Sequence, residues 1–305
     1  MNIIDKVAVC SRSFSKHPAL RAELLSRYSH VTFNETGRQL ADNDLIEFLK
    51  GHNKAITALE TINNEILSAL PELEVIGKYG VGLDMIDINA MRFHGKRLGW
   101  TGGVNKRSVS ELTIAFAIIL LRRVIEGNRE ILEGGWRQLM GGMLSGRVVG
   151  IIGCGHVGKD LVKMLVPFGC KILVHDILKH SDFYNKYSIE AVSKEDLLSR
   201  SDVVTLHVPF DKTTKGMLDS ACFNLMKSTA ILINVARGGI VDELALKQAL
   251  IENRIGGAAF DVFTQEPPQD NELLALPNFI ATPHIGGSSE EAILAMGRAA
   301  IDGLE

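Results

Sequence analysis

The stretch Arg147-Val-Val-Gly-Ile-Ile-Gly-Cys-Gly-His-Val-Gly158 decides the fold of this chain. It begins with an apolar run that predicts a buried strand, and it leads into a helical pattern over residues 158–168. The two are joined by G-x-G-x-x-G, in which Gly153 permits a tight turn, Gly155 lets a pyrophosphate approach the backbone, and Gly158 lets the helix pack closely. Free N–H groups at the start of such a helix attract phosphate. The stretch therefore predicts a strand–loop–helix unit that binds a dinucleotide.

Apolar runs alternate with helical patterns on both sides of this stretch, which predicts an α/β fold with doubly wound parallel sheets. After it, strand-like runs occupy residues 171–175, 203–207, 230–234, 257–260 and 279–282, and helical patterns occupy 158–168, 194–200 and 243–252. Before it, strand-like runs occupy residues 7–10, 55–59 and 75–79, and helical patterns occupy 19–28, 42–50 and 63–70.

The length and composition agree with two globular domains of this kind. The chain has 305 residues, and a domain usually takes roughly 100–200. Hydrophobic residues make up 46% and charged residues 23%, which excludes collagen-like, disordered and disulfide-scaffold proteins. The net charge of −3 gives no indication of a nucleic-acid or membrane-surface partner.

The cysteines and the start of the chain predict a cytoplasmic protein without a metal site. The four cysteines form no C-x-x-C pair, and no histidine lies at ligand spacing from them, so we expect buried, reduced thiols. The first residues lack the basic and apolar regions of a signal peptide. The most apolar run, residues 114–121, is far shorter than the ~20 residues of a membrane span.

An acidic residue, Asp176, ends the strand that follows the glycine loop, 21 residues after Gly155. A carboxylate at this place accepts hydrogen bonds from the ribose hydroxyls and repels a 2′-phosphate. The position therefore predicts NAD rather than NADP as the cofactor. The alternative is a surface aspartate beside a glycine turn that only packs a helix.

Three polar residues follow later apolar strands, where parallel sheets bind ligands. Arg237 suits a substrate carboxylate through its bidentate fork. Histidine as a residue type titrates near neutral pH, so His284 suits proton transfer, and a carboxylate such as Glu266 would orient it. Taken singly, they could be a surface cation, a histidine satisfied after a strand and a residue before a proline turn. Together, downstream of a dinucleotide loop, they predict hydride transfer to or from a carbonyl.

A helix is predicted to open at Ser108, where Ser108 and Glu111 form a capping box. Its residues are mostly apolar as far as Leu121. A helix that is apolar all round must be covered, either by the core of its own chain or by another subunit. The sequence alone leaves both alternatives open.

Six segments closely resemble the D-2-hydroxyacid dehydrogenase family, which includes D-3-phosphoglycerate, glycerate, formate and D-lactate dehydrogenases. In family order, they are residues 78–87, 144–153, 207–209, 234–243, 260–268 and 283–288, and the resemblance extends over roughly residues 55–300. It implies a substrate-binding domain of residues 1–101 with 286–305, a Rossmann NAD-binding domain of residues 102–285, and a cleft between them. It also implies a homodimer through the helix that starts near Ser108.

The resemblance assigns roles to individual positions. Arg237, Glu266 and His284 match the catalytic residues. Val81 and Gly82 match a loop that offers N–H groups to the substrate carboxylate, with Lys78 nearby. The positions that match the cofactor site are Gly153, Gly155, His156, Val157, Gly158, Asp176, His207, Val208, Pro209, Thr214, Val235, Ala236, Asp261 and Gly286.

One segment departs from the phosphoglycerate dehydrogenases of this family. After the third strand they commonly carry cations for the substrate phosphate, whereas residues 58–61 here read Ala-Leu-Glu-Thr. The carboxylate of Glu60 would repel a phosphate, although Lys78, Lys106 or Arg107 could compensate.

Two other residues, Asn105 and His156, do resemble phosphoglycerate dehydrogenases. The two signals conflict, and the charge argument carries more weight. Because the chain ends at Glu305, soon after the expected return helix, we expect no C-terminal regulatory domain.

The sequence as a whole predicts an NAD-dependent oxidoreductase that interconverts a small D-2-hydroxy acid and its 2-keto acid. Candidate acids include 3-phosphoglycerate and related glycerate-type acids. The alternative is a non-catalytic NAD(H)-sensing protein of the co-repressor type, because such proteins share this fold and can retain the triad.

Overall fold

A computed structural model describes residues 5–305 of the chain, which forms two compact units. The first comprises the residues up to Asn105 together with Ser289–Glu305, and the second comprises Lys106–Ser288. The sequence prediction placed the two domain boundaries after residues 101 and 285, a few residues earlier in each case.

The first unit is built around a five-stranded parallel sheet. Its strands are β1 Lys6–Val9, β2 His30–Phe33, β3 Lys54–Thr57, β4 Val75–Lys78 and β5 Arg97–Gly99. They lie in the order β2-β1-β3-β4-β5. The helices are α1 Arg12–Lys16, α2 Pro18–Arg27, α3 Asp42–Leu49, α4 Asn64–Ala69, α5 Ile88–Phe93 and α14 Glu290–Asp302.

Helix α14 packs on this sheet because glycines replace side chains beneath it. A Cβ at Gly77 would overlap the carbonyl oxygen of Ala300, and one at Gly99 would overlap the backbone of Gly303. The C-terminal segment thus belongs to the same core as the N-terminal strands.

The second unit contains a seven-stranded parallel sheet. Its strands are β6 Val148–Ile152, β7 Lys171–His175, β8 Glu190–Ala191, β9 Val203–Leu206, β10 Ile231–Asn234, β11 Gly257–Phe260 and β12 Phe279–Ala281. They lie in the order β12-β11-β10-β9-β6-β7-β8, so the strand order reverses beside β6. The helices are α6 Lys106–Leu121, α7 Val124–Leu132, α8 His156–Leu165, α9 Ser181–Tyr187, α10 Lys194–Arg200, α11 Ser220–Leu225, α12 Glu243–Ile251 and α13 Asn271–Ala275, with a 3-10 turn at Val166–Phe168.

These two sheets confirm the predicted fold class of two doubly wound parallel-sheet units. Apolar side chains cover both faces of each sheet in separate clusters. No helix within residues 5–305 is long and apolar enough to cross a membrane.

The predicted capping box at Ser108 is wrong. Helix α6 already begins at Lys106, so Ser108 lies within its first turn. Its Oγ donates a hydrogen bond of 2.6 Å to the carbonyl oxygen of Gly286 instead of capping the helix. The acceptor of this hydroxyl is distant along the chain, so local sequence spacing cannot reveal it.

Helix α6 has two apolar faces with different surroundings. One face, which includes Val109, Phe116 and Ala117, is buried in the core of its own unit. On the other face Ile118 remains 37% exposed within the chain. The core therefore covers only part of the apolar surface that the sequence revealed.

Candidate active site

The glycine loop between β6 and α8 has the close contacts that its spacing predicts. Gly153 adopts a φ of +97°, and a Cβ there would lie 2.7 Å from the backbone of His207. A Cβ at Gly158 would overlap the carbonyl oxygen of Gly153. A Cβ at Gly155, in contrast, would have no heavy atom within 4 Å. Gly153 and Gly158 thus keep the loop compact, whereas Gly155 borders open space.

The first turn of α8 fits the phosphates of a dinucleotide. Gly155 is its N-cap, and no side chain caps this helix end. Gly155 and His156 are exposed, and Val157 is half-buried. The N–H groups of this turn therefore point where an anion can approach, and the helix dipole favours it.

Asp176 follows β7 and lies directly against the glycine loop. Its Oδ2 accepts a 2.5 Å hydrogen bond from the N–H of Cys154, and its Oδ1 accepts one of 2.7 Å from Leu178. The carboxylate is half-buried, at the place predicted to meet the cofactor ribose. It therefore also fixes the loop, a role that the sequence did not indicate.

The segment after β9 is a tight, internally bonded loop. Burial lowers the pKa of His207 to about 3, so its ring is neutral at pH 7, and its Nε2 lies 3.0 Å from Thr205 Oγ1. Thr214 donates from Oγ1 to the carbonyl oxygen of Pro209 at 2.7 Å and accepts from the N–H of Asp211 at 2.8 Å. Val208 in this loop is half-buried.

The turn after β10 positions Arg237. The buried Asn234 accepts from the N–H of Ala236 at 3.1 Å and donates to the carbonyl oxygen of Arg237 at 2.9 Å. Val235 and Ala236 are buried beneath this turn, and Arg237 donates to the carbonyl oxygen of Ala236 at 2.7 Å. An asparagine at the end of the strand therefore closes the turn that carries the guanidinium.

The Arg237 turn packs directly on the segment that carries Glu266. A Cβ at Gly238 would overlap the carbonyl group of Phe263. Thr264 donates from N and from Oγ1 to the Oε1 of Glu243, at 2.7 and 2.8 Å. Two segments that the sequence singled out independently are thus joined at one edge of the sheet.

His284 pairs with Glu266, as the sequence predicts. The two side chains meet at 2.9 Å between Nδ1 and Oε2, and they are 50% and 41% exposed. The other carboxylate oxygen of Glu266 accepts from the N–H of Phe263 at 3.1 Å. His284 itself has a φ of +55°, an uncommon conformation for a side chain of this size. The Nε2 atom is left as the ring nitrogen that can exchange a proton with a ligand.

The buried Asp261 holds the backbone around His284. Its oxygens accept from Thr282 Oγ1 at 2.5 Å, and from the N–H groups of Ile285 and Gly286 at 2.7 Å each. Its carbonyl oxygen also accepts from the N–H of His284 at 2.9 Å. Asp261 therefore maintains the strained loop, a positioning role that the sequence did not predict; its predicted cofactor contact stays a prediction. The backbone of Gly286 is held in the same way: its N–H donates a hydrogen bond to Asp261, and its carbonyl oxygen accepts one from Ser108.

The predicted substrate residues of the first unit lie at the end of β4 and in the loop that follows it. Lys78 is only 5% exposed and donates from Nζ to the carbonyl oxygens of Ala58 and Tyr79, at 2.7 and 3.2 Å. Val81 and Gly82 are half-buried, and the carbonyl oxygen of Val81 accepts from the indole of Trp100 at 3.0 Å. The ammonium of Lys78 thus connects the segments after β3 and β4 within the first unit. A contact between Lys78 and the substrate stays a prediction.

The charge of Arg107 is already balanced within the second unit. Its guanidinium donates two hydrogen bonds to the carboxylate of Asp160, at 2.8 and 3.0 Å. These bonds hold the pKa of the Asp160 carboxyl below its usual range. This pairing makes Arg107 a poor candidate for compensating Glu60. No group of three or more potential metal-ligating side chains occurs within residues 5–305.

The chain matches known proteins over most of its length. The family model of the D-isomer specific 2-hydroxyacid dehydrogenase NAD binding domain matches residues 114–286. A glyoxylate reductase of Korarchaeum cryptofilum is 36% identical over 81% of this chain and 77% of the relative. A D-3-phosphoglycerate dehydrogenase of Archaeoglobus fulgidus is 36% identical over 85% of this chain, which spans only 50% of that relative.

Solved structures give the same result for the fold. The TT0316 protein of Thermus thermophilus superposes with a TM-score of 0.83 at 31% identity, over 98% of this chain and 94% of the other. A D-2-hydroxyisocaproate dehydrogenase, at 24% identity, shares the fold with a TM-score of 0.86, over 98% of this chain and 94% of the other. The chain therefore belongs to the D-isomer specific 2-hydroxyacid dehydrogenase family and is an NAD-dependent oxidoreductase.

Proposed function

We propose that this enzyme interconverts a small D-2-hydroxy acid and its 2-keto acid, with Arg237, Glu266 and His284 as its catalytic residues. The observation that carries the proposal is the 2.9 Å contact between His284 Nδ1 and Glu266 Oε2. This contact occupies Nδ1, holds the ring in place and leaves Nε2 as the nitrogen that can exchange a proton with the substrate. No metal is needed for this chemistry.

The three residues divide the work in the direction of reduction. NADH supplies the hydride when it is bound. Arg237 holds the carboxylate of the 2-keto acid and polarises its carbonyl group. His284 gives a proton from Nε2 to the carbonyl oxygen, and Glu266 orients its ring through Nδ1. In the direction of oxidation, neutral His284 removes the hydroxyl proton.

The dinucleotide is assigned to the edge of the second sheet where the strand order reverses. The open first turn of α8, with Gly155, His156 and Val157, would hold the pyrophosphate. Asp176 would hold the ribose hydroxyls and exclude a 2′-phosphate. The remaining predicted cofactor residues, from the loops after β9, β10, β11 and β12, would line the rest of the site. They are His207, Val208, Pro209, Thr214, Val235, Ala236, Asp261 and Gly286.

The relatives support a small hydroxy or keto acid as the substrate. The names of two of them give glyoxylate and D-3-phosphoglycerate as their substrates. We propose a substrate of this size class, with the glycerate-type acids included among the candidates.

NADH oxidation measured with a panel of 2-keto acids tests the proposal. Glyoxylate, pyruvate, hydroxypyruvate and 3-phosphohydroxypyruvate cover the size class and both charge states. We expect turnover of at least one of them and its loss in His284→Ala. An enzyme that binds NADH tightly but reduces none would support the NAD-sensing alternative of the co-repressor type.

We also propose that the protein is a homodimer. The second unit exposes large apolar side chains in and after α7: Leu132 is 78% exposed, Trp136 83% and Met140 90%. So much apolar surface on one segment usually marks an interface. Analytical ultracentrifugation should give twice the mass of one chain, and a monomer at micromolar concentration would contradict this.

A reducing compartment such as the cytoplasm is the proposed location. All four cysteines are free, and three of them are buried, which suits a compartment that keeps thiols reduced. Microscopy of a fluorescent fusion protein would test this location.

A further inference from the structure

Phe210 is an aromatic residue of the second unit that has no role in the function proposed above. It lies in the loop after β9 and is 41% exposed. Its ring lies against Gly239, because a Cβ built on that glycine would be 2.9 Å from Cε2 and 3.4 Å from Cζ of the ring. We infer that Phe210 is a positioning residue, which holds the turn of Arg237 so that the guanidinium meets the substrate carboxylate. The inference rests on the proposed function, because it gives Phe210 a part in that reaction.

The turn that carries Arg237 needs support on the side that continues toward α12. Two consecutive glycines, Gly238 and Gly239, follow the arginine, and glycine has the greatest backbone freedom of all residues. Gly238 is held by close packing, since a Cβ there would overlap the carbonyl group of Phe263. Gly239 adopts a φ of +77°, and the three nearest heavy atoms that a Cβ would meet there all belong to the ring of Phe210. The ring is therefore the side-chain contact that limits the freedom of the second glycine.

The backbone on both sides of Phe210 is fixed by hydrogen bonds within its own loop. The buried Thr214 donates from Oγ1 to the carbonyl oxygen of Pro209 at 2.7 Å and accepts from the N–H of Asp211 at 2.8 Å. These bonds hold the residue before Phe210 and the residue after it. The Oδ1 of Asp211 in turn accepts from the N–H and from Oγ1 of Thr213, at 2.7 and 2.6 Å. The ring thus extends from a well-held backbone, as a residue that positions a neighbouring segment requires.

The loop of Phe210 is also joined to the segment that follows the Arg237 turn. Three backbone hydrogen bonds connect the two: from the N–H of Gly216 to the carbonyl oxygen of Gly239 at 2.8 Å, from Leu218 to Ile240 at 3.2 Å, and from Asp242 to Leu218 at 2.9 Å. The loop and this segment therefore form one hydrogen-bonded patch. The ring of Phe210 adds to it a side-chain contact only two residues from Arg237.

The consequence for the reaction follows from the geometry that Arg237 requires. A guanidinium binds a carboxylate through two parallel hydrogen bonds, whose directions depend on the placement of both groups. A misplacement of about 1 Å can cost about 100-fold in rate, even when the mutation lies far from the chemistry. Without the ring, the conformation of Gly239 would depend on backbone hydrogen bonds alone. The loss should therefore appear in the binding of the keto acid, because Arg237 holds its carboxylate.

Steady-state kinetics of Phe210→Ala with the best keto acid test the inference. The KM for the keto acid should rise about 10-fold, while the Kd of NADH, from fluorescence titration, should stay within about twofold of wild type. Phe210→Leu, which keeps an apolar contact with Gly239, should restore most of the loss. Leu225→Ala is the matched control and should change neither value, because Leu225 is an apolar residue of the same unit with a similar exposure of 43%. Equal losses for NADH and the keto acid would overturn the inference, since they would indicate a damaged loop rather than a displaced guanidinium.

A double-mutant cycle establishes whether Phe210 acts through Arg237. Arg237→Gln removes the charge and the bidentate fork, so the position of the turn should matter little in that background. Phe210→Ala should then lower kcat/KM by no more than about twofold, because changes that act through one interaction are not additive. The same loss in both backgrounds would overturn the inference, since the ring would then act independently of the guanidinium.

Hydrogen exchange followed by mass spectrometry provides an arm that needs no turnover. A peptide that covers residues 235–243 should exchange faster in Phe210→Ala than in wild type, and Leu225→Ala should match wild type. If wild type reduces no keto acid yet this difference appears, the proposed function fails and the hold of Phe210 on the turn stands. Unchanged exchange in Phe210→Ala would overturn the inference while the dehydrogenase activity stands.

Discussion

The two sheets carry polar side chains at their carboxyl edges, but they hold them in opposite ways. In the second unit, His284 is paired with Glu266, and its loop is tied to the buried Asp261 by several hydrogen bonds. In the first unit, Arg12 and Lys16 line an open cavity together with Glu60, and neither cation forms an ion pair within residues 5–305. One edge is rigid and internally satisfied, whereas the other is open and adaptable.

The difference agrees with the catalytic role proposed for the edge of the second unit. A group that transfers a proton must be held within about 0.5 Å of its working position, which requires supporting hydrogen bonds.

The largest expected effect comes from removing the proton donor at the rigid edge. His284→Ala should lower kcat by about 10²–10⁴-fold with the best keto acid, because general acid catalysis contributes about that much. Stopped-flow or steady-state NADH oxidation measures the loss. NADH affinity, followed by fluorescence titration, should stay near wild type, and an unchanged kcat would contradict the assigned role.

The next effect tests the packing that joins the Arg237 and Glu266 segments. Gly238→Ala places a Cβ on the carbonyl group of Phe263, and such overpacking should cost about 1–3 kcal/mol of the free energy of unfolding. Urea denaturation measures it. Gly155→Ala is the matched control, because its Cβ would have no heavy atom within 4 Å. Equal stability of the two variants would show that the close approach is not required.

A smaller effect is expected after β7, where we propose that Asp176 excludes a 2′-phosphate. Asp176→Ser should raise kcat/KM with NADPH by about tenfold relative to NADH, since a like charge is removed from the ribose site. The ratio of the two rates at a fixed keto acid gives the result. A wild-type enzyme that already uses both cofactors equally would contradict the assignment.

The smallest effect concerns cysteines that follow the first strand of each sheet. Burial raises the pKa of Cys154 to about 11, and it raises the pKa of Cys10 well above its ordinary value. At pH 8 both thiols should therefore react with iodoacetamide far more slowly than in urea, as mass spectrometry of labelled peptides can establish. Rapid labelling of Cys154 in the native enzyme would contradict this.

The raised pKa of Cys154 has a further consequence for stability. The unfolded thiol loses its proton above about pH 9, whereas the folded one keeps it until about 11. The free energy of unfolding should therefore fall as the pH rises through this window. Cys154→Ser should show a weaker dependence on pH there.

The sequence located the central strands well, and it located the edge strand β12, but it missed the edge strands β2, β5 and β8. The buried strands β6, β7 and β9 appear as continuous apolar runs because both of their faces are covered. The edge strand β2 alternates between exposed and half-buried residues over only four positions. The two-residue β8 is wholly exposed. Such short edge strands exist because a neighbouring strand pairs with them, so composition gives little signal.

The residues of the candidate site likewise fall into those that the sequence predicted and those that it missed. Arg237, Glu266 and His284 could be predicted because each follows an apolar strand, and parallel strands end at one edge. The supporting role of Asp261 could not, since it depends on donors 21 to 25 residues away in the sequence.

The sequence by itself determined the two parallel sheets, the dinucleotide loop and the three residues assigned to the chemistry. These features depend on local apolar periodicity, on glycine spacing and on side-chain type, all of which can be recognised from neighbouring residues. Only the tertiary structure decided that Ser108 bonds to Gly286 rather than caps a helix, that Asp261 holds the loop of His284, and that a cavity forms among the segments that follow β1, β2 and β3. Those features require partners that are distant along the chain, and only packing brings them together.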